Sequence, residues 1–358
     1  MTARVGASSR SRPDGTKRYC WLSRPVTSST VTLRSERARA LVRVHGWNPS
    51  SFQILAPGYR YWFTEEAVVG YVDTGRALVA AGAPVCPEKH LARVARRFAA
   101  AARRRGRSVV FFGVHERFRR RLDWPSLAIG ELPYWDAEGW PDVLRARASL
   151  REQLRRVRAK GVTVELETGA DREALDGLRA RWLAGRRLAP LGFLVLPARG
   201  GPDVELLVAS RRGVPVGYVS LSPIYARGGL LVQDCVRGPG APNGTIELLI
   251  DAAFRRAAFR GLRYTTLGLA PLSGALPGWL LAARTLGRPL YDFAGLRAFK
   301  AKLQPSGWEP VSLVVNSSIV TGLIEALRAF AGGSFTAFGL ATARQLLRFD
   351  TVVALAAR

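Results

Sequence analysis

Apolar residues follow two periods along this chain, and the switches between them mark its elements. Residues 59–63 and 67–73 alternate or run apolar over strand length, and residues 77–81 do so again before Gly82-Ala83-Pro84 breaks the series. From Pro87 to Arg105 the spacing changes to three and four. Leu91, Val94, Ala95, Phe98 and Ala102 share one face there, which predicts a helix with a basic outer side. Gly106 stops it, and residues 108–114 read as a fully buried strand.

The order strand, strand, helix, strand then recurs. Residues 144–160 predict an amphipathic helix with Leu150, Leu154 and Val157 inward, stopped by Gly161, and residues 162–166 a strand. A helix over 171–184 precedes a hairpin of residues 204–210 and 214–222, turned through Arg211-Arg212-Gly213. A strand over 230–236, a helix over about 245–260 and a strand over 264–269 complete the second set. The reading is α/β, with two units of like order. Residues 1–35 are rich in Arg, Ser, Thr and Pro and form a disordered basic arm; 36–143 make the first unit, 144–316 the second, and 317–358 a helical tail. In the tail Ile319, Val320, Leu323, Ile324, Leu327 and Phe330 make one apolar face, and Leu346, Leu347, Val352, Val353 and Leu355 a second. Such a stripe packs on its own protein or lies on a lipid surface.

Charge narrows the partners. The 358 residues hold 54 Lys+Arg against 27 Asp+Glu, a formal net charge of +27. A field of that sign favours polyanions, either nucleic acid or an anionic membrane surface; an Arg-rich genome is the competing explanation, better at explaining why Arg outnumbers Lys than at explaining the scarcity of acids. Cys20, Cys86 and Cys235 are odd in number and widely spaced, and His45, His90 and His115 lack ligand spacing, so neither a disulfide framework nor a metal site is indicated. No stretch approaches the roughly 20 apolar residues of a membrane span. The opening residues have no apolar core of a secretory signal.

Chemistry concentrates between residues 230 and 303. Asp234 and Arg237 stand three apart where a strand gives way to a Gly/Pro loop, and Pro242-Asn243-Gly244 leads into the helix. Leu267-Gly268-Leu269-Ala270-Pro271-Leu272-Ser273 ends the following strand, and Gly295-Leu296-Arg297-Ala298-Phe299-Lys300-Ala301-Lys302 comes later. This ordered set resembles the C-terminal catalytic domain of the phosphatidylglycerol lysyltransferases, whose members carry Asp-x-x-Arg, Asn-Gly, Leu-Gly-x-Ala-Pro-Leu-Ser and Gly-Leu-Arg-x-Phe-Lys-x-Lys. The resemblance spans about residues 40–315 and is strongest in the last third. It implies two fused GNAT (acyltransferase)-like units and a cleft between the strands at 230–236 and 264–269. It also implies an aminoacyl-tRNA donor, a hydroxyl of phosphatidylglycerol or a related membrane lipid as acceptor, and no cofactor. A cytoplasmic protein, peripheral at the inner face of the cell membrane and without the membrane domain many members carry, is the matching expectation.

Within that frame Asp234 lies at the cleft mouth, where a carboxylate binds the α-ammonium of an aminoacyl group, and Arg237 offers planar donors to a phosphate. The pair can also be a tether of strand to loop. Cys235 points away from Asp234 in a regular strand and is a poor nucleophile. Asn243 is either a helix N-cap or part of a phosphate site; Glu247 suits the first turn. Gly268, Ala270 and Pro271 bring backbone close to the cleft, and Ser273 donates to the ester or the acceptor hydroxyl. Lys300 and Lys302 are two of only five lysines. If their segment is extended, both face one side and contact the tRNA acceptor end or a lipid phosphate, with Arg297 nearby, unless they form a solvated edge. Cys235-Val236 in place of Leu-Met, Leu303 in place of Phe, and Ala294 leave the amino acid unassigned. Three rivals stand: an acyl-CoA-dependent N-acetyltransferase, disfavoured by Pro239 and Pro242 where backbone amides are needed; a non-catalytic RNA-binding protein; and a peptidoglycan-type aminoacyl transferase differing in acceptor.

Overall fold

The computed structural model describes residues 28–167, 172–195 and 203–356. Residues 1–27, with most of the expected basic arm and Cys20, lie outside the described residues, as do Asp171 and the side chains of Val352, Val353 and Leu355. Among the described residues twelve strands form one mixed sheet: β1 (Arg60–Phe63), β2 (Val68–Asp73), β3 (Ala77–Ala81), β4 (Ser108–His115), β5 (Ser126–Trp135), β6 (Val162–Leu166), β7 (Glu205–Arg211), β8 (Val214–Ile224), β9 (Gly229–Arg237), β10 (Tyr264–Thr266), β11 (Ala270–Pro271) and β12 (Gly307–Val315). Their order is β1-β2-β3-β4-β12-β5-β10-β9-β8-β7-β6, with β11 on β5.

Two GNAT-like units are visible in this order. In each, antiparallel strands lead to a parallel pair joined by a helical crossover: β3 and β4 through the helix Leu91–Arg103, and β9 and β10 through Thr245–Phe259. The first crossover buries Leu91, Val94, Ala95, Phe98 and Ala102, the face its periodicity predicts. The β7–β8 hairpin turns through Arg212 and Gly213, both with positive φ, as a two-residue loop requires.

The units are not merely adjacent. β12, from the second half of the chain, lies between β4 and β5, and β5 in turn lies between β12 and β10. Neither β5 nor β12 is legible in the sequence pattern, because each holds a proline that argues against a central strand. Pro310 sits beside a register shift in the β12–β5 ladder, between Val311 and Ser312, and Pro133 pairs opposite Trp308. Helices cover both faces. On one, the helices Ser28–His45, Gly278–Gly287 and Ile319–Phe330 contribute Ala38, Val42, Leu280, Ala326 and Ala329 to a shared core. On the other, Leu91–Arg103 covers the first unit, and Ala148–Ala159 with Thr245–Phe259 covers the second.

A partly buried polar node fastens β12 in place. The Glu309 carboxylate accepts both arms of the Arg227 guanidinium, the Tyr264 hydroxyl at 3.0 Å and His115 Nδ1 at 3.3 Å. Arg227 lies 3.4 Å over the Tyr264 ring and 4.3 Å over Trp47. One carboxylate thus gathers groups from β4, β10 and the β8–β9 connection.

The tail departs from its expected packing. In the helix Ile319–Phe330 the buried residues are Gly322, Glu325, Ala326 and Ala329, whereas Val320, Ile324 and Leu327 are exposed. Small residues win the sheet-facing side because the approach is close: a Cβ on Gly322 would come within 2.3 Å of Val315 Cγ1. Buried Glu325 is taken up by the Thr74 hydroxyl and Arg328. Among the described residues no helix is long and apolar enough to cross a membrane.

Burial opposes ionisation of Glu309, but His115 and Arg227 hold it down at about 2, against 4.5 for a free glutamate. A carboxylate with a depressed folded pKa contributes stability that is present above the unfolded value and lost as pH falls toward the folded one. Glu309→Gln should therefore destabilise the fold by roughly 3 kcal/mol at pH 7. In urea unfolding, the advantage of wild type over the variant should shrink between pH 4.5 and 2.

Candidate active site

The cleft arises where β10 leaves β9. The two are paired only at Tyr264↔Gly229, Thr265↔Leu230 and Thr266↔Leu231, after which β9 runs on to Arg237 while the other chain, already paired with β5 at Thr265 and Thr266, continues along β5. β5 holds it through side chains as well as backbone. Thr265 and Thr266 hydroxyls donate to the Trp135 and Pro133 carbonyls at 3.0 and 2.7 Å, and the Leu272 amide donates to Ile129 O at 2.8 Å. Gly130 makes this possible, since a Cβ there would lie 2.3 Å from Ala270 O. The first unit lacks the opening: β3 and β4 stay paired to Ala81↔Phe112, and the Gly82 amide extends the ladder to Phe112 O at 2.7 Å.

On the β9 wall the ladder with β8 shifts register between Ser220↔Gln233 and Tyr218↔Val236, so Asp234 and Cys235 occupy a bulge. Asp234 takes a left-handed backbone, φ 51°, and its Oδ2 accepts the hydroxyl of fully buried Ser220 at 2.6 Å. The bulge removes the regular alternation on which the expected direction of Cys235 rested. Burial above all, and the Asp234 charge, push the Cys235 thiol up to about 12 despite the pull of Lys300 and Arg186. The thiol is protonated near neutral pH and is no nucleophile.

The opposite wall rests on Lys300. Residues Phe293–Lys302 form a helix, not an extended segment, because Asp292 accepts the Gly295 amide and starts it. The expected common face of Lys300 and Lys302 is thereby corrected. Lys300 is 4% exposed, and its Nζ donates to the carbonyls of Leu267, Gly268 and Leu269 at 2.9, 2.7 and 2.9 Å, so it anchors the motif loop and does not face a phosphate. Ser273, also buried, donates to Ala270 O at 2.8 Å. Gly268 has φ 73°, and its amide meets Thr266 Oγ1 at 3.1 Å. Ala270 and Pro271 pair with Glu131 and Gly130.

The remaining residues stand apart from this V. Arg237 Nη2 donates to Ala241 O and Asn243 Oδ1 at 2.9 and 2.8 Å, tying the loop after β9 into a closed turn. The helix N-cap is Gly244, φ 97°, and not Asn243, whose side chain serves Arg237. Lys302 joins Gln153 and Glu247 at 2.6 and 3.0 Å on the helical face behind the sheet. Arg297 lies 4.6 Å over Trp308 and 3.5 Å from Glu131. Among the described residues no group of three or more His, Cys, Asp or Glu could hold a metal ion. Ser220 and Gly130, which set the two walls, carry no signal in the sequence; each is an unremarkable strand residue until its partner is known.

The family model for the C-terminal part of phosphatidylglycerol lysyltransferase matches residues 39–315. The chain belongs to this family. It is 25% identical to the phosphatidylglycerol lysyltransferase of Bacillus subtilis (strain 168), covering 75% of this chain but 34% of that protein, so it spans about a third of that relative's length. Two solved structures share the fold. The C-terminal DUF2156 domain of a protein assigned as a lysylphosphatidylglycerol synthetase in Agrobacterium fabrum superposes with TM-score 0.72 at 23% identity, over 85% of this chain and 99% of that one. L-PGS from Bacillus licheniformis gives TM-score 0.70 at 23% identity, over 82% and 95%.

Burial lowers the Lys300 ammonium to about 7, from 10.5 for a free lysine. A lysine whose folded pKa is depressed costs stability in full below that value, and the cost is relieved as pH rises toward the unfolded value. Lys300→Met should leave three carbonyls without a donor and destabilise the protein by about 1–3 kcal/mol. The stability difference between wild type and variant should move in favour of wild type from pH 7 to 10.5. Denaturant titrations across that range measure it directly.

Proposed function

We propose that this protein transfers an aminoacyl group from aminoacyl-tRNA to a hydroxyl of phosphatidylglycerol or a related membrane lipid. The observation that carries this reading is the Asp234 carboxylate, displaced from the β8–β9 ladder by a bulge and held by Ser220, on the strand that runs on past the end of its pairing with β10. A carboxylate so placed binds the α-ammonium of the donor, which every aminoacyl ester possesses whatever its side chain. Arg237 and Asn243, joined to each other on the loop after β9, are the groups we assign to the tRNA end. Gly268, Ala270 and Pro271 supply the backbone wall along the ester. Lys300 and Ser273 act as positioning residues for that wall. Lys302 and Arg297, outside the V, are left to the tRNA body or lipid phosphate.

The acceptor hydroxyl oxygen attacks the ester carbonyl, the bond to the ribose oxygen breaks, and the hydroxyl proton passes to that departing oxygen. No net acid or base is consumed, so orientation of two bound substrates supplies most of the acceleration. Membership of the lysyltransferase family supports the lipid acceptor, and the charge of +27 supports both anionic substrates.

An acyl-CoA donor suits the site poorly. Its pyrophosphate requires free amides after β9, yet Gly238 N is bonded to Val216 O at 2.9 Å and Ala241 N to Gly238 O at 3.1 Å, and Pro239 and Pro242 have none.

Asp234→Asn should retain the Ser220 hydrogen bond while lowering product formation at least ~100-fold, because the charge assigned to the ammonium is removed. The assay is aminoacylated lipid detected by mass spectrometry from charged tRNA and phosphatidylglycerol vesicles. RNase should abolish the product, and acetyl-CoA should give no saturable thermal shift. Wild-type turnover in the variant would remove Asp234 from the site.

A further inference from the structure

The helix Gly278–Gly287 begins five residues beyond Ser273, so the chain passes from the cleft wall straight into it. Its sheet-facing side carries Leu280, which is buried, and Arg284, whose Nη1 donates to Leu272 O at 3.2 Å. The outward side holds Trp279, Ala282, Ala283 and Leu286, with Trp279 52% and Leu286 82% exposed, and exposed Leu290 follows. Outward faces of helices in a protein surrounded by water are ordinarily polar; this one has no charged residue.

A second apolar row lies in the same layer. Leu280 of this helix and Ala326 and Ala329 of Ile319–Phe330 enter one core on one face of the sheet, so the exposed Val320, Ile324 and Leu327 look away from that face too. From residue 274 to 291 there is no Asp or Glu, and the charges present are Arg284 and Arg288. Cations beside an exposed Trp/Leu face are the composition of a helix that lies in the headgroup region of an anionic bilayer.

We infer that the outward face of Gly278–Gly287, with Leu290 and the row Val320, Ile324 and Leu327, is a membrane-docking surface that sets the cleft opening against an anionic bilayer. The inference rests on the reading that the acceptor is a bilayer lipid. It adds the side from which that lipid arrives. Insertion at this helix brings headgroups to the end of the Leu267–Ser273 wall, whereas the arginine-rich helices Leu91–Arg103 and Ala148–Ala159 cover the other face of the sheet.

The test uses the full chain and vesicles of phosphatidylglycerol and phosphatidylcholine, with and without brominated acyl chains. Trp279→Ser/Leu286→Ser/Leu290→Ser alters exposed positions and should keep the wild-type melting temperature. At 0.5 M NaCl, where attraction between charges is screened over about 4 Å, its vesicle binding should fall at least ~10-fold, while binding at low salt persists. Bromine quenching of wild-type fluorescence should diminish in Trp279→Phe, which keeps the apolar face. The inference is overturned if the triple variant co-sediments like wild type at high salt, or if Trp279→Phe leaves the quenching unchanged. It is equally overturned if sedimentation velocity without lipid shows a wild-type dimer that the triple variant converts to monomer, since a second copy would then own this face. Loss of high-salt binding with no aminoacyl-lipid formed by wild type would uphold the docking surface and count against the transferase reading alone.

Discussion

The chain that follows Tyr264 parts from β9 while staying on β5, and that divergence shapes the molecule. β10 is bonded to β9 on one edge and to β5 on the other; after three residues the β9 ladder stops and the chain continues along β5, held by two threonine hydroxyls, the Leu272 amide and the β11 pairing. A gap therefore opens beside the end of β9, and its backbone groups are left for whatever enters. The chain keeps to β5 because Gly130 lets Ala270 approach closely, and because β12 holds β5 from the other side. In the first unit β4 is likewise held on its far edge, by β12, yet β3 and β4 stay paired and the ladder closes at Gly82.

Electrostatics then differentiates the two walls. On one, a carboxylate is displaced from the ladder by a bulge and held by a buried hydroxyl. On the other, an ammonium is spent entirely on backbone carbonyls, which shapes the loop. An arginine could not replace Lys300 readily, since a planar fork does not converge on three carbonyls as a compact ammonium does. The scarcity of lysine suggests a need for a compact ammonium at both positions; Lys300 meets such a need inside the protein, and Lys302 pairs with Gln153 and Glu247.

Periodicity carries much of the fold. The helix Leu91–Arg103, the β7–β8 hairpin and the repeated crossover are readable because their burial follows a single period from end to end. β5 and β12 escape that reading: their prolines and Gly130 look like breaks until the partner strands that tolerate them are known. The motif residues were legible as a set through family resemblance, yet their individual tasks were not. Whether Lys300 sits on a strand or a helix depends on the Asp292 cap, and whether Asn243 caps a helix depends on the reach of Arg237. These are three-dimensional choices between near-equal local alternatives.

The account stands on the claim that the second unit's V, and not the closed pair of the first unit, receives the donor. Photo-crosslinking from the aminoacylated 3′ end of tRNA, followed by peptide mass spectrometry, tests that claim most directly. Labelled peptides should map to residues 233–243 and 267–273. Labelling confined to residues 82–86 and 115–118, at the end of β3 and β4, would contradict it.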